Sequence, residues 1–161
     1  MPLINVKEFL DNQGIDYEII FHRPAMTAQA TATMAHILAQ NLAKTVVVKI
    51  DGEMALAVVS ASQRLDFGLL RTASRARTVT LASEGEFKDR FPECEPGAMP
   101  PFGNLYGMAV FVDEAVASHA QIVFNAGSHR ELVRLAYADF DRLVAPTVTA
   151  LAWAPFSARA A

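Results

Sequence analysis

Cysteine is almost absent: the 161-residue chain has one, Cys94. No intramolecular disulfide can form, and no cysteine-based zinc site can be built. A reducing cytosol fits that usage, and a cytoplasmic location is expected. Long apolar runs are missing too. The longest fall far short of the ~20 residues a membrane span needs, and the N-terminus lacks a basic region followed by an apolar run, so neither a membrane association nor a signal peptide is expected. Charge of one sign is not in excess. Lys and Arg number 14 against 17 Asp and Glu, for a net charge of −3 and a pI of about 5.8. That balance excludes a protein that coats nucleic acid through bulk charge, and no DNA partner is expected. It leaves room for one that holds a single RNA end in a local pocket.

Several motifs are absent as well. The chain has no GxxxxGK[ST] phosphate loop, no GxGxxG, no GxSxG and no HExxH. The four histidines (His22, His36, His119, His129) lack metal-ligand spacing. No cofactor and no metal are expected. There is no internal repeat, linker or low-complexity segment.

What remains is the composition of a globular protein, 52% apolar and 19% charged. The length suits one domain over residues 1–161 with a real core. Residues 3–14 read as a short amphipathic helix capped by Asn5, with Glu8 at the capping-box position and Gly14 as its stop. A strand over 16–22 ends at Arg23-Pro24. Thr27 opens an alanine-rich helix to about Gln40, with Ala30, Met34, Ile37 and Leu38 in an apolar stripe. Residues 43–50 and 54–62 flank Asp51-Gly52, the strongest hairpin signal in the chain. Val46, Val47 and Val48 run together, so the first of these strands is expected to be buried on both faces. A helix over 65–74 capped by Asp66, a short strand over 78–81 and a helix opened by Ser83 with Glu86 follow. Strands over 108–112, 121–125 and 131–136 come next, with a short helix over 114–119 and a last helix over 137–144 capped by Asp139. The apolar tail, Val148 to Phe156, shows no periodicity; Pro146 and Pro155 argue against a long element there. Without strict βα alternation, the pattern is that of an α+β domain, its sheet mixed or mostly antiparallel with flanking helices.

Two loops stand out. Glu95 to Gly107, EPGAMPPFGNLYG, holds three prolines and three glycines. Proline fixes φ while glycine opens φ > 0 and bares the backbone amide. A stiff loop of bare amides suits an oxygen that gains negative charge; a structural connection between strands is the plainer reading. The second loop, Asn125-Ala-Gly-Ser-His129, sets an amide, a hydroxyl and an imidazole at a strand end, with Gly127 allowing a tight backbone; a generic turn is its alternative. Lys44 opens the valine-rich strand. A lysine there is costly unless its ammonium emerges in a cleft or meets an anion. Arg71, Arg75 and Arg77 form a loose basic cluster, read first as a solvated face. Cys94 sits between Glu93 and Glu95, a setting that raises a thiol pKa, and is read as non-catalytic.

In order and spacing these pieces resemble the YbaK-like family, which includes the editing domain of bacterial prolyl-tRNA synthetase and its free-standing relatives. The resemblance runs from about Tyr17 to Val144. It rests on His22-Arg23-Pro24 with Thr27, Ala43-Lys44-Thr45, Gly97-Ala-Met-Pro-Pro101 and Phe124-Asn-Ala-Gly-Ser-His129. Arg23 stands where the family has the first proline of its turn, and Gln29 where many relatives carry an acid. The resemblance implies hydrolysis, in trans, of the ester between a wrong amino acid and a tRNA 3′ end. Its implied partner is that aminoacyl-tRNA end; an aminoacyl-tRNA synthetase is left open as a second. Implied catalytic residues are Lys44, Gly97, Ala98, Pro101 and His129, with His22, Thr27, Asn125, Gly127 and Ser128 binding substrate. Lys44 would fix the terminal adenosine or its phosphate, the amides from Gly97 onward would face the carbonyl oxygen, and the vicinal ribose hydroxyl would help activate water. Steric exclusion implies a small amino acid such as alanine, serine or cysteine. A non-catalytic tRNA- or nucleotide-binding module on the same fold, a hydrolase of another small ester, and an interaction protein using the apolar tail remain as alternatives.

Overall fold

A computed structural model describes residues 5–153. Leu3 of the first predicted helix, and Pro155 and Phe156 of the tail, lie outside the described residues. Strands β2 (Ala43–Ile50) and β3 (Glu53–Ser60) pair from Ala43↔Ser60 to Ile50↔Glu53. Asp51 and Gly52 between them have φ of 49° and 84°, the two positive values a type I′ turn requires. Asp51 is held there by its carboxylate, which accepts the backbone N–H groups of Arg77 and Thr78 at 2.9 and 3.0 Å. Val47 enters the main core and Val48 a second cluster, so the valine run is buried on both faces.

Around this hairpin a five-stranded sheet forms in the order β4-β2-β3-β5-β8, with β4 (Val79–Leu81), β5 (Ala109–Asp113) and β8 (Thr147–Thr149). β5 pairs parallel with both β3 and β8, while the remaining pairs are antiparallel. β1 (Glu18–Phe21), β7 (Glu131–Ala136) and β6 (Gln121–Asn125) make a separate antiparallel sheet in the order β1-β7-β6. The fold is α+β and mixed, as the sequence predicts, with its strands shared between two sheets. The sheets touch through one parallel bridge, Leu42↔Val123. Two residues further along each strand come Lys44 and Asn125. The pairing does not continue to them, so β2 and β6 splay and a gap opens where they part.

The helices follow their caps. α1 (Val6–Asn12) starts at Asn5, whose side chain accepts from the Glu8 amide at 2.9 Å. α3 (Phe67–Ser74) starts at Asp66, and α4 (Glu84–Phe87) carries the full Ser83–Glu86 capping box. α5 (Glu114–Ala117) is capped by Asp113. Two expectations are corrected. α2 spans only Ala28–Met34 instead of reaching Gln40. His36 turns left-handed at φ 57°, and the Ile37 and His36 amides close back on the Ala32 and Thr33 carbonyls at 2.9 and 3.2 Å, a Schellman stop. Alanine propensity yields because the chain must turn to bury Leu42, which is fully enclosed. In α6 (Tyr137–Val144) the cap position is Ala136, without a side-chain bond. Asp139 lies in the first turn, where its charge meets the positive end of the helix, and accepts from Arg142 at 2.9 Å.

The stiff loop is anchored in the main core by Phe102, which is fully buried against Phe124, Phe140 and Phe9 at ring-centre distances of 5.4, 5.3 and 6.1 Å. A Cβ at Gly103 would meet the Met108 carbonyl oxygen at 2.3 Å, so only glycine fits there. The tail is not patternless over its described part: Thr147–Thr149 pairs with β5, and Leu151 is fully buried. No helix among the described residues is long and apolar enough to cross a membrane.

Candidate functional site

Pro96 and Gly97 occupy the centre of a tight turn. The Ala98 amide donates to the Glu95 carbonyl at 3.0 Å, and Gly97 has φ of 86°. Proline followed by a positive-φ glycine is the type II arrangement, and it fixes which way the middle peptide faces. His129 holds that peptide: Nε2 donates to the Pro96 carbonyl at 2.7 Å. A carbonyl only accepts, so Nε2 carries the proton and Nδ1 is left as the ring's basic atom. In a trans peptide the N–H points away from the C=O. Pinning the Pro96 oxygen therefore also fixes the direction of the Gly97 amide, opposite to the imidazole, and no hydrogen bond to that amide is found among the described residues. His129 is itself buried, at 5% exposure, and its backbone amide donates to Glu95 Oε1 at 3.2 Å. The two unusual loops are stitched together by Glu95 N–H to the Gly127 carbonyl, 2.7 Å, and Gly127 N–H to the Ala98 carbonyl, 2.8 Å.

This double loop closes one side of the gap between β2 and β6. The gap is a cavity of ≈ 20 Å³ whose walls include Thr27, Lys44, Thr45, Gly97, Asn125 and His129, with Met99 and Ala28 as apolar lining. No carboxylate or thiol is among the described residues that line it. Asn125 is oriented by donating from Nδ2 to the Ser128 carbonyl at 3.2 Å. Thr27 caps α2 through its hydroxyl, which accepts from the Ala30 amide at 3.0 Å. The Lys44 ammonium has neither ion pair nor hydrogen bond among the described residues, and burial lowers its pKa below the ordinary 10.5. Thr45 supplies the second unpaired group: its Oγ1 is buried without a partner. A buried hydroxyl left bare is costly. In the sequence Thr45 appears only within the Ala43-Lys44-Thr45 motif, with no role of its own, although a hydroxyl opening a valine-rich strand is a signal for one.

Of the residues implied by the resemblance, Lys44, Gly97, His129, Thr27 and Asn125 come together at this cavity. Ala98 and Pro101 are buried behind it, and the Ala98 amide is already engaged by Glu95. Gly127 and Ser128 face a different cavity of ≈ 190 Å³ beside Cys94. His22 lines neither; its Nδ1 bonds the Arg23 carbonyl at 2.7 Å and its amide the Arg130 carbonyl at 2.9 Å. The Cys94 thiol is pushed up to about 12, by burial first and by Glu93 to a lesser degree. Its neighbour Tyr106 donates its hydroxyl to Glu93.

A wider groove of ≈ 640 Å³ shares Thr27, Ala28 and Lys44 with the small cavity. Arg71 and Arg77 lie apart, on another groove beside β4.

Comparison with known proteins supplies three findings. Residues 22–143 match the family model of the aminoacyl-tRNA editing domain. A curated relative, the multifunctional Ser/Thr-tRNA deacylase ProXp-y of Escherichia coli (strain K12), is 28% identical over 142 residues, covering 85% of this chain and 84% of the relative. Among solved structures, the hypothetical protein APE2540 superposes with a TM-score of 0.82 at 17% identity, over 92% of this chain and 99% of the other. A protein described as a candidate trans-editing enzyme for prolyl tRNA synthetase superposes at 0.78 with 21% identity, over 92% and 95%. At those identities the two structures bear on the fold alone.

Proposed function

This chain belongs to the aminoacyl-tRNA editing domain family, and on that premise we propose that it is a deacylase acting in trans on tRNA charged with a wrong small amino acid. The observation that supports this most is the meeting, on one small cavity, of Lys44 and Gly97, whose ammonium and amide have no hydrogen-bond partner among the described residues. An aminoacyl ester is already activated, so a strong protein nucleophile is not needed; positioning and oxyanion stabilisation suffice. In our scheme Lys44 holds the terminal phosphate or ribose. The Gly97 amide donates to the ester carbonyl oxygen as it becomes an oxyanion. Water adds to the carbonyl carbon with help from the vicinal ribose hydroxyl, the bond to the ribose oxygen breaks, and that oxygen takes up a proton. The products are free amino acid and uncharged tRNA.

His129 is a positioning residue in this scheme, since its Nε2 proton is committed to the Pro96 carbonyl. Asn125 and the bare Thr45 hydroxyl receive the α-amino group. The cavity size excludes large side chains. Serine belongs both to the size class expected from the sequence and to the substrates in the relative's name, and it is the first substrate to test. We take residues 1–161 as one editing domain working in the cytosol on tRNA that a synthetase has released; the scheme needs no lasting complex with the synthetase. The test is release of labelled amino acid from tRNAs mischarged with alanine, serine, cysteine, threonine and larger residues, by the wild type, Lys44→Ala and Gly97→Ala. Release of the small residues, lost in both variants, is expected. Binding of tRNA without release above background would instead favour the non-catalytic module.

A further inference from the structure

The wide groove beside the cavity carries two cations, Lys44 and Arg64, and no carboxylate among the described residues that line it, in a chain of net charge −3. Trp153, the sole tryptophan, forms part of its wall while remaining 51% exposed. The Arg64 guanidinium carbon lies 5.1 Å from the centre of its ring, within cation–π range.

This platform is held in place. The Trp153 amide donates to the Arg64 carbonyl at 2.6 Å, and the Asp66 amide to the Leu151 carbonyl at 2.7 Å. Leu65 and Ala152 form an antiparallel bridge. Asp113, only 5% exposed, accepts the Leu151 and Ala152 amides on Oδ1 at 2.8 and 3.0 Å. Its Oδ2 takes Gln63 Nε2 at 3.1 Å and the Ala115 amide at 2.9 Å. A buried carboxylate thus fixes the backbone that carries an exposed indole. A large apolar ring left half exposed among the described residues and fixed at the mouth of a cationic groove offers a stacking surface.

We propose that the groove seats the single-stranded end of the RNA, with a nucleobase stacked on Trp153, Arg64 beside it, and the adjoining phosphate on Lys44. This rests on the deacylase reading for the identity of the RNA. A groove of this volume is in the range that takes a nucleotide-sized ligand, and base–aromatic stacking tolerates any base.

The test uses the indole as its own reporter. Titrating the wild type with the uncharged trinucleotide CCA should quench tryptophan fluorescence saturably, and Lys44→Ala should weaken the titration. In deacylation assays Trp153→Ala should raise KM about 10-fold with kcat within about twofold, while Trp153→Phe restores most of the affinity. Matching thermal melts exclude misfolding, because the ring lies on the surface. An unquenched indole, or an unchanged KM in Trp153→Ala while the wild type deacylates, overturns the proposal. Quenching without any deacylation would leave the groove assignment standing and sink the catalytic reading instead.

Discussion

The two hollows that meet at Lys44 are built on opposite plans. The wall of the small cavity is held by hydrogen bonds: a type II turn, a histidine committed to a carbonyl, and loops laced by amide–carbonyl bonds. Its volume of ≈ 20 Å³ admits little more than a water or a small group. The groove, at ≈ 640 Å³, is wider, and of its lining residues Thr27, Gln29, Ser62, Arg64 and Trp153 are exposed. Fixed dipoles suit a charge that develops during reaction, since they need no reorganisation at that moment. Cations and an exposed ring on an open groove suit a ligand that must arrive and leave. In our account the cavity sets rate and choice of amino acid, and the groove sets affinity for the RNA.

Gly97→Ala should break the comparison most sharply. At φ 86° a side chain is strained, and the turn relaxes by flipping its middle peptide, which takes the Pro96 oxygen off His129 and the Gly97 amide off target. The expected result is a kcat about 100-fold lower, the usual cost of one oxyanion donor, with KM little changed in single-turnover assays. Retention of full kcat would remove the Gly97 amide from the mechanism.

Lys44 belongs to both hollows, so Lys44→Ala should lower kcat/KM roughly 30-fold, as expected for a lost charge-assisted contact. Its pH dependence follows from its burial. A lysine with a lowered pKa gives up its proton below the ordinary 10.5. The affinity for uncharged tRNA should therefore be full below that lowered value and fall as pH rises through it, earlier than solvent-exposed lysines titrate. Lys44→Arg should abolish this alkaline limb; a limb that persists in the variant would assign the titration elsewhere.

Met99→Ala enlarges the cavity alone. It should raise the rate on valine- or leucine-charged tRNA relative to serine-charged tRNA by about 10-fold, the discrimination a methylene or two provides. An unchanged ratio would mean that cavity size does not set the choice. The smallest effect belongs to Thr45→Val. Replacing a bare buried hydroxyl by a methyl should raise stability by about 1 kcal/mol in a denaturant melt while slowing deacylation a few-fold. Loss of both stability and rate would show that the hydroxyl is satisfied in the free protein.

The sequence carried much of this plan. Asp51-Gly52, the caps at Asn5, Thr27, Asp66 and Ser83, and the stiff loop at Gly97 are all local signals, set by residues within a few positions of one another. The family motifs brought Lys44, Gly97, Asn125, Thr27 and His129 to one place in advance. Long-range facts were not legible. The split into two sheets depends on β2 and β6 parting after a single bridge, and no local pattern encodes that. The halt of α2 at Met34 answers a distant need to bury Leu42. Gly127 and Ser128 sit in the same loop as His129, yet they face the Cys94 side, because the loop's fold and not its sequence decides which side each residue meets. Trp153 looked like part of an unpatterned tail because Asp113, which fixes that backbone, lies 40 residues earlier in the chain.

The division of labour between the hollows can be tested on one tRNA charged with serine, comparing Gly97→Ala and Trp153→Ala at enzyme concentrations below and above saturation. The account predicts that Gly97→Ala is slow at both concentrations, while Trp153→Ala is slow below saturation and close to wild type above it. Recovery of Gly97→Ala at high concentration, or an equal loss for Trp153→Ala at saturation, would contradict it.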